Sequence, residues 1–296
     1  MPHARLKNDH YMKTLTVMTP TYNRRELLKN AYRSLAEQTC DDFIWMIVDD
    51  GSNDGTEDEV KNFISEGLVD IIYIRKENGG KHTAINRAYE EVNTELIAVT
   101  LDSDDIFLPN AVGEILSAYN KTDKKYDGYV FLYKSIPAQI DPDLEVMSWQ
   151  KAVSEGHFDG ETVIVLKSEY ARKHPFPVYE GEKFCAEGLV WLKMTEPFYW
   201  DHVPVCDGEY RTDGYSRNII KFFAANPKSF MEYNKLRLSL WKGLAKRLKY
   251  AAYYDGFSLL AHEKGFVRRS PSKALSVLAL PAGLLFCLIL KIKRKQ

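Results

Sequence analysis

In the N-terminal two thirds of the chain, short continuous apolar runs alternate with longer stretches in which apolar residues follow helical spacing. The short runs predict strands at residues 15–19, 43–48, 70–75 and 96–100. The longer stretches predict helices over residues 24–38, up to about residue 65, and up to about residue 91. Strands that alternate with helices and are apolar on both faces predict an α/β fold built around a mostly parallel sheet.

Each predicted strand ends in a loop of small, acidic or turn-forming residues. The second strand ends in DDGSNDGT at 49–56, the third is followed by ENGGKH at 77–82, and the fourth by LDSDD at 101–105. Loops that follow parallel strands emerge at one edge of the sheet, where such folds bind ligands, so one ligand could touch them all.

The three carboxylates of Asp102, Asp104 and Asp105 repel one another unless a cation lies between them, which favours a hard divalent metal over a solvated loop. The other two loops also have simpler explanations. Residues 49–56 could be a turn with a helix cap, and residues 78–81 a tight turn with a solvated lysine instead of a diphosphate site.

Several classes of protein are excluded or disfavoured. There is no P-loop motif and no Gly-x-Gly-x-x-Gly after the first strand, which disfavours a dinucleotide cofactor. The four cysteines are scattered, so neither a zinc site nor a disulfide framework is indicated and a reducing compartment is expected. The first thirteen residues are polar and lack a secretory signal, and no nucleic-acid partner is expected.

Beyond Pro109 the pattern predicts a helix to about residue 119, strands at 128–133 and 161–167, and a loop over 141–156. A second group of acids, Glu180, Glu182 and Glu187, precedes an apolar Leu-Val-Trp-Leu segment. Each of these acids is either a candidate general base or a cap for the helix through Lys193.

Four motifs in order resemble the signatures of family-2 inverting glycosyltransferases of the GT-A fold. They are TPTYNR at 19–24, VDDGSNDGT at 48–56, NGGK at 78–81 with Asn86, and LDSDD at 101–105 followed by Pro109. The resemblance covers about residues 15–216 and implies a metal-dependent transfer from a nucleoside-diphosphate sugar, a UDP-sugar being expected, with Mn²⁺ or Mg²⁺ as cofactor.

The same resemblance assigns roles to residues. It places Pro20, Thr21, Tyr22 and Asp50 near the base, Asp102 near the ribose and Asp104 on a metal that bridges the diphosphate. The predicted nucleotide-sugar site also includes Asn78, Gly80, Lys81 and Ser103, and the predicted metal ligands are Asp104 and Asp102.

Many family members carry Glu-Asp ahead of a Leu-Trp helix, with the Asp as catalytic base. Here the position reads Ala186-Glu187, so the expected base is Glu187. Arg211 lies in a segment that resembles the loop closing on the donor; it could meet the diphosphate or only pair with Glu209 or Asp213.

Two rival functions are kept. A nucleotidyltransferase can use a similar sheet and metal site but would attack the α-phosphate and release pyrophosphate. A catalytically silent, membrane-docked binding module would show no turnover, although the intact Asp102, Asp104 and Glu187 argue against it.

The C-terminal quarter differs in charge from the rest. Residues 217–296 hold 17 Lys or Arg against 3 Asp or Glu, a net charge of +14, whereas residues 1–216 carry −15. Residues 228–248 predict a basic amphipathic helix that either lies on a membrane or packs on the catalytic domain. Residues 274–290 form an uncharged run of about 26 Å as a helix, short of a ~30 Å hydrocarbon core, so a shallow insertion competes with a true span.

We therefore expect a catalytic domain at 1–217 and a helical membrane-association region at 218–296. This arrangement would hold the enzyme at the cytoplasmic face of a membrane, with a lipid-linked or cell-surface glycan as acceptor.

Overall fold

The computed structural model describes residues 13–99, 101–208 and 219–294. These residues form two compact units. The first holds residues up to 149, residues 157–175 and the segment from 196 to 208; the second holds residues 150–156, residues 176–195 and the described C-terminal residues. Residues 150–156 and 176–195, which we expected within the catalytic domain, thus group with the C-terminal helices.

The first unit is a mixed sheet whose N-terminal strands are parallel. These strands are β1 (Leu15–Thr21), β2 (Phe43–Asp49), β3 (Ile71–Arg75) and β4 (Leu96–Ala98). They pair in the order β3-β2-β1-β4, and β1, β2 and β4 are almost completely buried, as expected of strands covered on both faces. The helices that connect them are α1 (Arg25–Ala36), α2 (Thr56–Glu66) and α3 (Lys81–Glu91).

The core fixes these helices by ring stacking. The rings of Tyr32 on α1 and Phe63 on α2 lie 4.2 Å apart, and Tyr32 lies 6.2 Å from Trp45 on β2. The predicted α/β fold with helices flanking the sheet is confirmed.

The second half of this sheet is mostly antiparallel. Its strands are β5 (Ile106–Phe107), β6 (Gly128–Tyr133), β8 (Val146–Ser148), β10 (Thr162–Lys167) and β11 (Pro197–Asp207). The same part of the chain contains the helices α4 (Ala111–Lys121) and α6 (Ser168–Lys173). The sheet continues from β4 through β10, β6 and β11 to β5, with β8 also on β11. A separate pair is formed by β7 (Gln139–Ile140) and β9 (Phe158–Asp159).

The expected loop over 141–156 is wrong in part. It contains β8, which pairs with β11, and α5 (Trp149–Ser154). Stacking of Trp149 on Trp200 at 5.3 Å supplies the packing that the weak pattern did not reveal.

The second unit is helical. Its elements are α7 (Gly188–Trp191), α8 (Ile219–Ala225), α9 (Pro227–Leu240), α10 (Leu244–Leu260), α11 (Phe266–Arg269) and α12 (Lys273–Arg294). Among the described residues, the segment Lys273–Lys293 is the one helix long and apolar enough to cross a membrane.

The single amphipathic helix expected over 228–248 is wrong. Trp241 adopts an extended backbone and Gly243 a positive φ of 90°, so the chain breaks between α9 and α10. The apolar side chains of this stretch, including Phe230, Met231 and Leu238, are buried inside the helical unit and do not form a free membrane face.

Candidate functional site

The polar loops of the first unit meet at one edge because their strands are in register. Thr21, at the end of β1, pairs with Asp49 of β2, and Asp49 pairs with Arg75 of β3. Past β4, the Leu101 N–H donates to the Met18 carbonyl at 2.9 Å. The loops that carry the predicted site residues therefore leave the sheet side by side.

Asp50 organises the loop that follows β3. Its carboxylate is buried and accepts hydrogen bonds from Lys76 Nζ at 2.6 Å, the Gly79 N–H at 2.9 Å, the Gly80 N–H at 2.7 Å and Asn78 Nδ2 at 3.1 Å. Both carboxylate oxygens thus have two protein donors. Gly80 can enter this cradle because its φ of 96° is accessible to glycine.

The acid cluster after β4 is neutralised by two basic side chains. Lys81 Nζ lies 2.9 Å from Asp102 Oδ1, and Arg24 Nη1 lies 3.0 Å from Asp104 Oδ2. Lys81 begins α3 and Arg24 precedes α1, so each cation comes from the start of a helix beside the acid loop. The structure therefore places the predicted residues Lys81 and Asp102 in contact, and it pairs the predicted Asp104 with Arg24.

Asp105 has a different environment from its two neighbours. It accepts a hydrogen bond from Tyr133 Oη at 2.7 Å. Burial raises the pKa of Asp105 to about 7, against the opposing effect of that hydrogen bond and with a further contribution from Asp102 and Asp104. At neutral pH this side chain is shared between its neutral and charged forms.

The end of β1 presents side chains of contrasting exposure. Pro20 and Thr21 close the strand and Tyr22 follows it with 48% of its surface exposed. Thr21 Oγ1 is buried and has no hydrogen-bond partner among the described residues. The exposed ring of Tyr22 can pack against the flat face of a ligand.

Two further side chains, the predicted Ser103 and the neighbouring His82, lie inside the edge. Ser103 is buried between the two acids that flank it in sequence. His82, on the first turn of α3, is also buried, and neither ring nitrogen has a partner among the described residues. Burial lowers the pKa of His82, so the ring is neutral at pH 7.

Sequence reasoning missed three side chains of this edge: Arg24, Lys76 and Tyr133. Arg24 ends the TPTYNR motif, so its position inside a motif was an available signal. Lys76 and Tyr133 follow no pattern, and only the fold shows that they contact Asp50 and Asp105.

The second unit holds the three candidate bases, and their environments differ. Glu182 is buried and its carboxylate accepts the backbone N–H groups of Lys228 at 2.6 Å and Ser229 at 2.9 Å, so it caps the start of α9. Burial raises the pKa of Glu182. Glu180 is exposed.

Glu187 is half-buried and immediately precedes α7, where its carbonyl accepts the Val190 and Trp191 N–H groups. The segment before it is fixed to α9 because the Ala186 N–H donates to Ser229 Oγ at 2.9 Å. Glu187 is thus set on a rigid segment, whereas Glu182 is committed to a structural role. Arg211 lies outside the described residues.

Part of the sequence also matches a known protein family. Residues 16–153 match the profile of the family described as Glycosyl transferase family 2. Residues 16–153 thus form a glycosyl transferase family 2 domain. This confirms the resemblance seen in the four motifs, and the nucleotidyltransferase alternative is not favoured.

Among relatives, a GalNAc(5)-diNAcBac-PP-undecaprenol beta-1,3-glucosyltransferase of Campylobacter jejuni is 25% identical over 271 residues, covering 82% of this chain and 83% of that protein. The chain spans between 20% and 39% of the length of the first curated relatives that it matches.

Two solved structures establish the GT-A fold by likeness. TarS 1–349 of S. aureus in complex with UDP-GlcNAc has a TM-score of 0.60 and 15% identity, over 95% of this chain and 88% of that one. The mannosyltransferase PcManGT from Pyrobaculum calidifontis, in complex with GDP-Man and Mn²⁺, has a TM-score of 0.57 and 18% identity, over 99% and 90%.

Proposed function

We propose that this family-2 glycosyltransferase transfers a sugar from a nucleoside-diphosphate sugar, a UDP-sugar in the first instance, to a hydroxyl of a lipid-linked or cell-surface glycan, with inversion at the anomeric carbon. The observation that carries the proposal is the edge where Asp102 and Asp104 lie beside Lys81 and Arg24. Mobile cations and a diphosphate can exchange with such partly exposed ion pairs.

Each part of the donor, from the base through the ribose to the diphosphate, is assigned to residues of this edge. The segment Pro20, Thr21 and Tyr22 lies at the base, with the exposed Tyr22 ring packed on it, and Asp50 shapes the loop beside them. Asp102 accepts from the ribose, with Ser103 behind it. Asn78 and Gly80 hold the loop from which the Lys81 ammonium reaches the diphosphate, and Arg211 adds a second cation.

A divalent metal, Mn²⁺ or Mg²⁺, is assigned to Asp104 and Asp102. Carboxylate oxygens are the ligands that these ions prefer. The described residues contain no group of three or more His, Cys, Asp or Glu side chains placed to hold a metal. The set of two carboxylates fits an ion that is completed by substrate phosphates and water, as is usual for Mg²⁺. When bound, the ion neutralises charge on the departing diphosphate.

Glu187 is assigned as the general base that takes the proton of the acceptor hydroxyl. Its rival Glu182 is engaged with two backbone N–H groups, and Glu180 is exposed to solvent. A single displacement with a base on the acceptor side gives the inverted product.

The acceptor and the location are assigned together. The Campylobacter relative is named for an undecaprenol-linked substrate, and the present chain ends in a basic quarter with an apolar helix. A lipid-linked acceptor at the cytoplasmic face of a membrane accounts for both features.

The donor assignment is tested by a thermal-shift panel of nucleoside diphosphates and nucleotide sugars, each with Mn²⁺, Mg²⁺ or a chelator. A ligand that binds the native state raises the melting temperature. We expect stabilisation by UDP compounds that is lost in chelator and in Asp104→Asn. The matched control is Asp58→Asn, an exposed acid on α2 that should behave as wild type. Metal-independent binding by Asp104→Asn would contradict the metal assignment.

The base assignment is tested by Glu187→Gln. Transfer should fall by roughly 10² to 10⁴ while donor binding and melting temperature stay unchanged, because general-base catalysis contributes about this much. The configuration of the product at the anomeric carbon, read by NMR, tests inversion; a retained configuration would refute the single displacement.

A further inference from the structure

Helix α12 presents one face of small residues to the rest of its unit. Its buried positions recur every three or four residues, and they are Ser276, Ala279, Gly283, Cys287 and Leu290. Their spacing places them in a single stripe along the helix. Small side chains on this stripe allow α12 to approach its neighbour α10 closely.

The approach is closest at two glycines. A Cβ added to Gly283 would lie 2.8 Å from Asp255 Cβ and 3.0 Å from the Ala252 carbonyl oxygen, and one added to Gly256 would lie 2.9 Å from the Gly283 carbonyl oxygen. There is therefore no room for a side chain at either position. The contact between α10 and α12 is backbone to backbone and leaves no space for lipid.

The contact also covers a carboxyl group. Asp255 on α10 is fully buried, and neither of its carboxylate oxygens has a hydrogen-bond partner among the described residues. The nearby Ser276 hydroxyl donates to Ser270 Oγ at 2.7 Å. Removing α12 from α10 would expose this acid and the glycine backbone, so α12 is held as part of the unit.

The opposite face of α12 is apolar and exposed. Seven large aliphatic side chains on it are between 42% and 66% exposed: Val277, Leu278, Leu284, Leu285, Leu288, Ile289 and Ile292. A soluble surface normally carries such residues singly. A continuous row of them along one helix marks a surface that binds an apolar partner.

The charge around this face identifies the partner. Exposed basic residues precede the helix at Arg268 and Arg269 and begin it at Lys273, and Lys291 and Lys293 lie exposed at its end. The sequence contains no Asp or Glu after Glu263. The apolar row is suited to the acyl chains at the boundary of a bilayer, and the basic ends are suited to anionic headgroups. A neutral protein groove would offer nothing to pair with the basic ends.

We propose that α12 lies in the plane of an anionic membrane, with its aliphatic row in the headgroup and acyl boundary and its small-residue stripe still packed on α10. This rests on the membrane association proposed above and decides its geometry. A spanning path would take α12 away from α10, which would uncover the buried Asp255 and break the close contact at Gly256 and Gly283.

The test uses the full chain added to preformed vesicles of phosphatidylcholine with phosphatidylglycerol. Lys273→Cys and Lys291→Cys, at opposite ends of α12, are treated with a membrane-impermeant maleimide, and labelled sites are located by peptide mass spectrometry. We expect both cysteines to react equally before and after detergent is added. Protection of Lys291→Cys alone until detergent is added would show a spanning helix and overturn the proposal.

A second pair of variants tests the aliphatic row. Leu285→Asp should weaken vesicle binding by at least about tenfold, whereas Leu68→Asp in the first unit, of similar exposure, should not. Both should melt as wild type because neither side chain is buried. Equal binding by the two variants would overturn the proposal, as would a concentration-dependent dimer in buffer that Leu285→Asp abolishes.

The outcomes separate this inference from the proposed function. Failure of the chain to float with anionic vesicles would overturn the membrane face, while stabilisation by UDP-sugars would still be measured independently. Loss of donor binding with intact flotation would overturn the proposed function and leave the membrane face supported.

Discussion

Substitution of Asp50 by Asn tests whether one carboxylate holds the loop that presents Lys81. The variant keeps the size of the side chain but removes its charge and turns one acceptor into a donor. The amide would then face Lys76 and the two glycine N–H groups, which now donate to a carboxylate.

The expected loss follows from these contacts. Breaking a buried ion pair costs about 3–5 kcal/mol. Because the Lys76 ammonium also donates to the Glu77 carbonyl and to Thr83 Oγ1, we expect the lower end, about 3 kcal/mol. Each 1.4 kcal/mol is a factor of ten, so the loop should open about a hundredfold more often.

Amide hydrogen exchange measures this opening directly. The Gly79 and Gly80 amides, whose N–H groups are bonded to Asp50, should exchange about a hundredfold faster in a peptide covering residues 76–82. Asp58→Asn serves as the control and should leave that peptide unchanged. An increase of less than about threefold in Asp50→Asn would refute the view that Asp50 holds the loop.

Three other predictions concern single side chains. Burial raises the pKa of Asp255 from 3.8 to about 7, so the folded chain keeps a proton that the unfolded chain releases, and the stability of the protein falls as pH rises from about 4 to 7. In urea unfolding, Asp255→Asn should flatten this pH profile and be more stable than the wild type above pH 7 by up to about 4 kcal/mol. Parallel profiles of the two proteins would contradict the prediction. Glu182→Gln should lower the stability by about 1.5–3 kcal/mol through loss of a charged cap while UDP binding by calorimetry is kept, and unchanged melting would argue against the cap. Lys81→Met should weaken UDP binding by about tenfold without lowering the melting temperature, whereas unaltered affinity would remove Lys81 from the diphosphate site.

The sheet edge was predictable because the motifs follow buried strands. Residues such as Asp50 and Asp102 come directly after apolar runs, and strand ends in a parallel sheet fall together. What each acid contacts was not predictable. Asp50 was expected near the base, but its carboxylate is fully engaged by the loop that follows β3, and its partner Lys76 stands in no recognisable pattern. A contact with the base stays a prediction.

The C-terminal part of the sheet and the break between α9 and α10 could not be predicted from the sequence, for different reasons. Strand β11 contains Asp201, His202 and Pro204 among its apolar residues, which interrupts the alternation of a half-buried strand. The break at Gly243 escaped because basic and apolar residues keep helical spacing on both sides of it. Only burial of Trp241 within the helical unit reveals why the chain turns there.

Strand β5 has a consequence for the order in which the chain folds during synthesis. Ile106 and Phe107, which follow the acid cluster, pair only with Cys206 and Asp207 of β11 among the described strands. The ribosome must therefore add 100 residues after Phe107 before this pairing can form, which takes about 5–20 s at ordinary translation rates. The N-terminal parallel strands can assemble earlier from contacts nearer in sequence. The strand pairing that follows the acid cluster thus forms late, and a nascent chain stalled before β11 would hold that cluster only through its contacts with the N-terminal elements.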